Sequence, residues 1–224
     1  MIFLEAKTHK NFKGIFWVNK NLATLNLVPG FRSCSEELIK IKKKEYRIWN
    51  PYKSKPAAAI LKGIKFFPLK WDMKILYLGI ASGTTASYFS DIIGENGVIY
   101  GVEISERSIR DLNIVAEKRK NIVPILADAR KPEDYEWIEQ VDLVYEDVAQ
   151  PDQSEILIRN GKKFLKQNGF AMIAIKARSV DVTKKPKEIY KREIKKLSKF
   201  FKIIDKVELD PYEKDHCFIV MKKI

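Results

Sequence analysis

From Lys74 to the end of the chain, short apolar runs rich in β-branched and aromatic residues alternate with stretches whose apolar positions recur at helical spacing. Ile75 to Gly79, Val98 to Ile104, Ile122 to Ala127, Leu143 to Val148 and Phe170 to Ala177 read as strands. Thr85 to Ile93, Arg107 to Arg119, Ser154 to Leu165 and Lys187 to Phe201 read as helices. Such alternation implies a mostly parallel sheet covered on both faces. Two further runs, Ile203 to Leu209 and Cys217 to Met221, are separated only by Asp210 to His216. That connection is too short for a crossover helix, so the two strands must pair antiparallel. The predicted class is α/β, a doubly wound, Rossmann-like sheet of seven strands that ends in an antiparallel hairpin.

The first part of the chain follows a different pattern. Gly14 to Val18, Leu38 to Lys42 and Tyr46 to Trp49 are β-prone runs separated by turn-rich pieces such as Asn19-Lys20-Asn21 and Pro29-Gly30. They predict a small antiparallel β unit. Ser54 is placed to cap a helix from Lys55 to Lys62, with Pro56 tolerated in its first turn and Gly63 closing it. The expected division is therefore a small N-terminal β domain at residues 1–53 and a larger α/β domain at 54–224.

Charge changes this picture. The 224 residues carry a net charge of +13, and residues 1 to 70 hold 15 basic against 4 acidic side chains. The N-terminal third thus carries most of the positive field, which suits a polyanionic partner or, equally, a lysine-rich solubilising surface. A second basic stretch, Lys184 to Lys206, carries Ile189, Ile194, Leu197 and Phe201 on one face and reads first as an amphipathic surface helix. No base-reading motif accompanies it. Cys34 and Cys217 stand far apart, which suggests neither a disulfide framework nor a metal site, and no metal is expected. No apolar run is long enough to cross a bilayer and the N-terminus lacks the order of a signal peptide, so no membrane association and an intracellular location are expected.

Candidate chemistry gathers at the ends of the predicted strands. Gly79 and Gly83 bracket a strand-to-helix turn with Ala81 between them, and Thr84-Thr85 opens the helix. Glycines there let backbone approach a ligand at the carboxyl edge of an open sheet, although the pattern G-x-A-x-G is weak alone. Glu103 ends the second strand twenty residues after Gly83, where a carboxylate can accept hydrogen bonds from both ribose hydroxyls of an adenosine. Asp128-Ala129 follows the third strand, an acid for an adenine amino group beside a small residue that leaves room for the ring. Asp147 follows the fourth. Three acids at three successive strand ends point to an adenosine-containing cofactor, and these features alone leave an NAD-dependent oxidoreductase open.

The wording of several segments is more specific. Tyr77 to Thr85 (Y-L-G-I-A-S-G-T-T), Glu146 to Pro151 (E-D-V-A-Q-P), Pro211 to His216 (P-Y-E-K-D-H) and Arg47 to Lys55 with the alanines after it resemble fibrillarin through the whole chain. The small β unit is similar to that of archaeal members. This resemblance implies a class I methyltransferase that uses S-adenosylmethionine (SAM) to methylate ribose 2′-hydroxyls of ribosomal and transfer RNA at sites chosen by a box C/D guide RNA. It implies two protein partners, a Nop-domain scaffold and a kink-turn-binding ribosomal-type protein. It also implies Gly79, Ala81, Gly83, Thr84, Thr85, Glu103, Ile104, Asp128, Ala129, Asp147 and Gln150 as the cofactor set. Lys55, Asp147 and Lys176 are carried over as catalytic, with His216 or its neighbour Asp215 as a fourth. Pro56 departs from the leucine expected after the Ser-Lys pair, and the eukaryotic glycine-arginine arm is missing, which points to a prokaryotic, archaeal cytoplasm.

A ribose hydroxyl is a poor nucleophile at neutral pH and must lose its proton as the new bond forms. Lys176 is the candidate proton acceptor, yet an ordinary lysine, at about 10.4, is charged at pH 7. A cationic cofactor and Lys55 would lower that value and Asp147 would raise it. Stabilising a developing alkoxide is the alternative role. A non-catalytic RNA-binding subunit is the second rival reading, against which the retention of Lys55, Asp147 and Lys176 argues.

Overall fold

The computed structural model describes residues 5–224. Five short strands, β1 (Ala6–Thr8), β2 (Ile15–Val18), β3 (Asn21–Leu25), β4 (Leu38–Ile41) and β5 (Lys44–Ile48), form an antiparallel sheet in the order β1-β2-β3-β5-β4. β1 and β3 were not among the predicted runs. β3 follows β2 through Asn19 and Lys20, both at positive φ (52° and 144°), so the tight reversal sets its register and compensates for the weak strand preference of Asn21 and Ala23.

The helix α1 (Lys55–Leu61) then leads into the second sheet. Its elements are β6 (Lys74–Leu78), α2 (Thr84–Ile93), β7 (Val98–Glu103), α3 (Glu106–Lys118), β8 (Ile122–Leu126), a 3-10 turn at Pro132–Tyr135, β9 (Val141–Glu146), α4 (Gln153–Phe164), β10 (Leu165–Lys176), α5 (Ala177–Val180), α6 (Pro186–Leu197), β11 (Phe201–Glu208) and β12 (His216–Lys223). The strand order is β11-β12-β10-β9-β6-β7-β8, with β12 antiparallel to both of its neighbours. The doubly wound class and its terminal hairpin stand as the residue pattern predicts. The predicted helix to Phe201 stops at Leu197, because Phe201 turns into the core as the first residue of β11. α5 and the 3-10 turn are too short to carry a periodic signal.

Alternation along the strands explains why both sheet faces are apolar. Ile75, Tyr77, Leu143, Tyr145 and Phe218 face a cluster shared with α1, α2 and Trp49. Leu76, Leu78, Val144, Ile173 and Ile219 face the opposite cluster, closed by α4 and α6. Trp49, at the end of the first sheet, stacks on Tyr88 of α2 with ring centroids 5.2 Å apart. The first sheet thus shares the core of the second.

A buried charge network strengthens this join. Arg47 on β5 and Arg119 after α3 are both fully buried. Asp91 of α2 pairs with Arg47 at 2.7 Å and with Arg119 at 2.6 Å, and it also accepts from Thr24 Oγ1 at 2.6 Å and Leu27 N–H at 2.9 Å. Glu36 pairs with the other face of Arg47 and accepts from the backbone N–H groups of Ser33 and Cys34. Arg47 also donates to the Ser87 carbonyl and lies over the Tyr88 ring. Burial alone would raise the Glu36 carboxyl, but the Arg47 charge together with the hydrogen bonds from Cys34 and Arg47 outweighs it and holds the group at about 2. Arg47→Met should therefore destabilise the fold by about 3–5 kcal/mol in denaturant unfolding, since it leaves buried carboxylates without their partner. Because the Glu36 value is lowered on folding, its contribution is complete above the usual carboxylate range and is lost as pH falls toward about 2. A midpoint for Arg47→Met equal to that of the wild type would contradict this.

Candidate active site at the carboxyl edge of the sheet

The order of strands reverses between β6 and β9, and the crevice at such a point is where an open α/β sheet takes a ligand. Gly79 leaves β6 at φ 74°, and a Cβ there would lie 3.0 Å from the Val148 side chain and 3.2 Å from the Asp147 main chain. The two loops therefore touch across a glycine. Gly83 has φ 86° and starts α2, where a Cβ would meet Leu112 at 2.7 Å. Between them Ala81 has φ 53°, unusual for a residue with a Cβ. The carboxylate of Glu103 helps to hold this shape, accepting from Ala81 N–H through Oε2 and from Ser105 N–H through Oε1, each at 2.9 Å. Each oxygen keeps a further lone pair for a hydroxyl.

One cavity brings together Gly79, Ala81, Glu103, Ile104, Asp128, Ala129, Asp147, Gln150 and Lys176. Its walls also include Val148, Ile156 and Arg130, which the sequence reading did not single out. Arg130 sits on Asp128 at 3.0 Å, and its hydrogen bond holds the Asp128 carboxyl below the usual range. Asp128 thus stays ionised as an acceptor. Ile104 is 58% exposed and offers an apolar wall. Gly83, Thr84 and Thr85 stand outside the lining. Thr85 is buried and donates from Oγ1 to Ser54 Oγ at 3.0 Å, and the Thr84 carbonyl accepts from Ser87 Oγ. Ser54 precedes α1 as expected but makes no side-chain cap, its hydroxyl being engaged with Thr85.

Asp147 and Lys176 continue from the cavity wall into a cluster of charges. Lys55 Nζ lies 3.1 Å from Asp147 Oδ1 and is hydrogen-bonded to Oδ2, while Lys176 Nζ lies 2.9 Å from Oδ1 and is hydrogen-bonded to the Asp147 carbonyl at 2.7 Å. The ammonium groups approach Oδ1 at ion-pair distance but off the hydrogen-bond direction, since no aligned hydrogen bond reaches that atom. All three side chains are about 15% exposed. Glu213, not anticipated among the site residues, stands 3.9 Å from Lys55 Nζ and comes from the P-Y-E-K-D-H segment. The only signal for it lay in that segment. Beneath the cluster, Tyr77 and Tyr145 are buried with centroids 4.7 Å apart, and burial followed by the charge of Asp147 keeps both phenols protonated.

His216 pairs in register with Lys176 at the end of β12. Its Nδ1 donates to the Lys214 carbonyl at 2.7 Å, which leaves Nε2 as the acceptor in the neutral ring. Asp215, the alternative fourth residue, turns its carboxylate to Arg178 at 2.8 Å. Clefts lined by Lys185, Lys187 and His216, and further along by Lys187, Lys191 and Lys206, run beside α6 from this end of the sheet. Among the described residues, no group of three or more His, Cys, Asp or Glu could hold a metal ion, and no helix is long and apolar enough to cross a membrane.

The sequence model of fibrillarin matches residues 6–224. The chain belongs to the fibrillarin family. It is 51% identical over 226 residues to the fibrillarin-like rRNA/tRNA 2′-O-methyltransferase of Pyrococcus furiosus, covering 98% of this chain and 99% of that one. Among solved structures it matches Aeropyrum pernix fibrillarin in complex with natively bound SAM, at TM-score 0.91 and 50% identity over 97% of this chain and 98% of that one. It also matches the fibrillarin of a fibrillarin/Nop5p complex, at TM-score 0.88 and 40% identity over 95% and 98%. The crevice of this fibrillarin-family chain combines the close approach that Gly79 allows with the carboxylate acceptors of Glu103 and Asp128.

The setting of His216 can be tested directly. Burial lowers its value below the ordinary 6.5, and the neighbouring Lys55 and Lys176 lower it further against the Lys214 carbonyl. By NMR its ring should titrate with a midpoint below 6.5, and Lys55→Ala should move that midpoint up. Since the folded value lies below the unfolded one, His216 leaves stability unaffected above this range and erodes it as the pH falls through it. A wild-type midpoint at or above 6.5 would contradict the arrangement.

Proposed function

We propose that this chain transfers the methyl group of SAM to the ribose 2′-hydroxyl of ribosomal RNA, and of transfer RNA, at nucleotides chosen by a box C/D guide RNA. The single observation that carries the reading is the Lys55–Asp147–Lys176 cluster opening onto the crevice lined by Gly79, Glu103 and Asp128. The relatives' names and the bound SAM of the Aeropyrum pernix protein support it. Assembly with a Nop-domain scaffold follows from the fibrillarin/Nop5p complex, and a guide RNA and a kink-turn-binding protein complete the proposed particle. The archaeal source of the relatives supports an archaeal, cytoplasmic setting. In this reading residues 1–53 are the small β domain and 54–224 the methyltransferase domain.

The residues fit the cofactor on their own chemistry. Gly79 allows close backbone approach, Glu103 has free lone pairs for ribose hydroxyls, and Asp128 is held ionised for an amino group beside the small Ala129. Ile104 covers an apolar ring, and Gln150 and Asp147 serve the amino-acid end. When bound, SAM supplies an electrophilic methyl on a cationic sulfur. Asp147 keeps the site from accumulating positive charge and orients both ammonium groups. Lys176 Nζ, as the neutral amine, takes the 2′-hydroxyl proton as the oxygen gains the methyl, or, as an ammonium, steadies the developing oxyanion while the proton passes to solvent, and Lys55 holds Asp147 from the other side. His216, neutral with Nε2 available, is the fourth member. The lysines beside α6 extend the positive field from the site along an RNA backbone.

The deciding experiment is transfer of labelled methyl from SAM to a guided target RNA in the reconstituted particle, with a 2′-deoxy target nucleotide as the control that must stay unlabelled. In the same assay Lys176→Ala should lower turnover by about 10²-fold or more while S-adenosylhomocysteine binding by the isolated protein is largely unchanged. Label on the 2′-deoxy target would overturn the acceptor, and near-normal turnover of Lys176→Ala would remove that residue from the mechanism.

A further inference from the structure

We infer that Gln153 is the positioning residue for Lys176, acting as a substitute for the strand that the sheet lacks beside it; the inference rests on the reading above for the role of Lys176. The ladder between β9 and β10 ends at Glu146 and Ile173. Beyond it the chain leaves β9, and Asp147 N–H donates instead to the Leu78 carbonyl of β6 at 3.0 Å. β10 runs on for three residues, paired only with β12, as far as Lys176 opposite His216. Lys176 therefore ends a strand whose neighbour on one side has gone.

The carboxamide of Gln153 takes that neighbour's place. Its Oε1 accepts from the Lys176 N–H at 2.9 Å, and its Nε2 donates to the Lys176 carbonyl at 3.4 Å. The same Nε2 donates to the Gln150 carbonyl at 2.9 Å, in the loop that lines the cavity. Gln153 is fully buried and is the first residue of α4. A primary amide carries a donor and an acceptor side by side, as a peptide group does, and glutamine has the reach to present both from a helix start. An apolar residue would leave the Lys176 main-chain groups unpaired.

The consequence falls on Lys176 Nζ, whose contacts with Asp147 are set by where its own main chain lies. Displacements of about 1 Å at a reacting group lower rates by about 10²-fold. Gln153 does not line the cavity; it meets Lys176 through both main-chain groups and Gln150 through one carbonyl, so its effect should fall more on turnover than on cofactor binding.

Gln153→Met keeps the length and removes all three hydrogen bonds. In the reconstituted particle we expect kcat to fall at least tenfold with KM for SAM and for target RNA held within threefold, and the pH dependence of kcat to shift as Lys176 moves relative to Asp147. On the protein alone, hydrogen exchange at the Lys176 amide should quicken, while the Ile175 amide, which by strand alternation faces β12, stays protected. Gln153→Glu keeps the acceptor for the Lys176 N–H and should retain more of both turnover and protection than Gln153→Met. An unchanged kcat, equal losses in the two variants, or a fall in SAM affinity matching the fall in kcat without faster Lys176 exchange would each overturn the assignment. If the wild-type particle itself fails to methylate, the proposed reaction fails, whereas the exchange measurements still decide whether Gln153 holds Lys176. Should Gln153→Met not fold, the Gln153→Glu exchange and kinetics decide it.

Discussion

Asp147 is bracketed by two ammonium groups that reach it from different parts of the fold, Lys55 from α1 and Lys176 from the end of β10. Two such cations, each only about 15% exposed, would repel one another without a shared anion between them. The arrangement requires that three segments distant in sequence be held rigidly. Much of the rest of the molecule meets that requirement. Asp147 is fixed where β9 leaves the sheet, Lys176 is fixed where β10 ends, and α1 is pressed on the same core as α2 by Trp49 and the alanines after Lys55.

The first sheet contributes through its join to α2. Arg47, Asp91, Glu36 and Arg119 form a dry network whose partners are all satisfied, and such a network specifies one arrangement more strictly than apolar contacts do. α2 begins at the glycine loop, so the antiparallel sheet fixes the loop's downstream end. The strong positive charge of the N-terminal third is not diminished by this. Arg47 is buried, but so are Glu36 and Glu45, and the lysines other than Lys55 remain at the surface.

Much of the architecture was legible in the residue pattern, because apolar runs alternating with helical stretches have few other ways to be buried. The acids at strand ends were legible for a related reason: Glu103, Asp128 and Asp147 follow apolar strands where the chain must emerge at one edge. Other features left no local trace. β1 and β3 owe their form to pairing, not propensity. Arg47 and Arg119 read as surface charges until Asp91 is placed between them. Gln153 looks like one polar residue among several at a helix start, and only the register at which β9 departs shows what its amide faces. Thr85 illustrates the converse, a residue of the loop motif whose hydroxyl the fold turns toward Ser54 and away from the cavity.

That hydroxyl pair between Ser54 and Thr85 lies directly at the meeting of two helix starts, one bearing Lys55 and the other issuing from the glycine loop. It ties the start of the helix that carries Lys55 to the start of the helix that follows the glycine loop, so the two sides of the crevice are joined by a side-chain bond as well as by the shared core. A change at either hydroxyl would therefore be felt on both sides of the crevice at once.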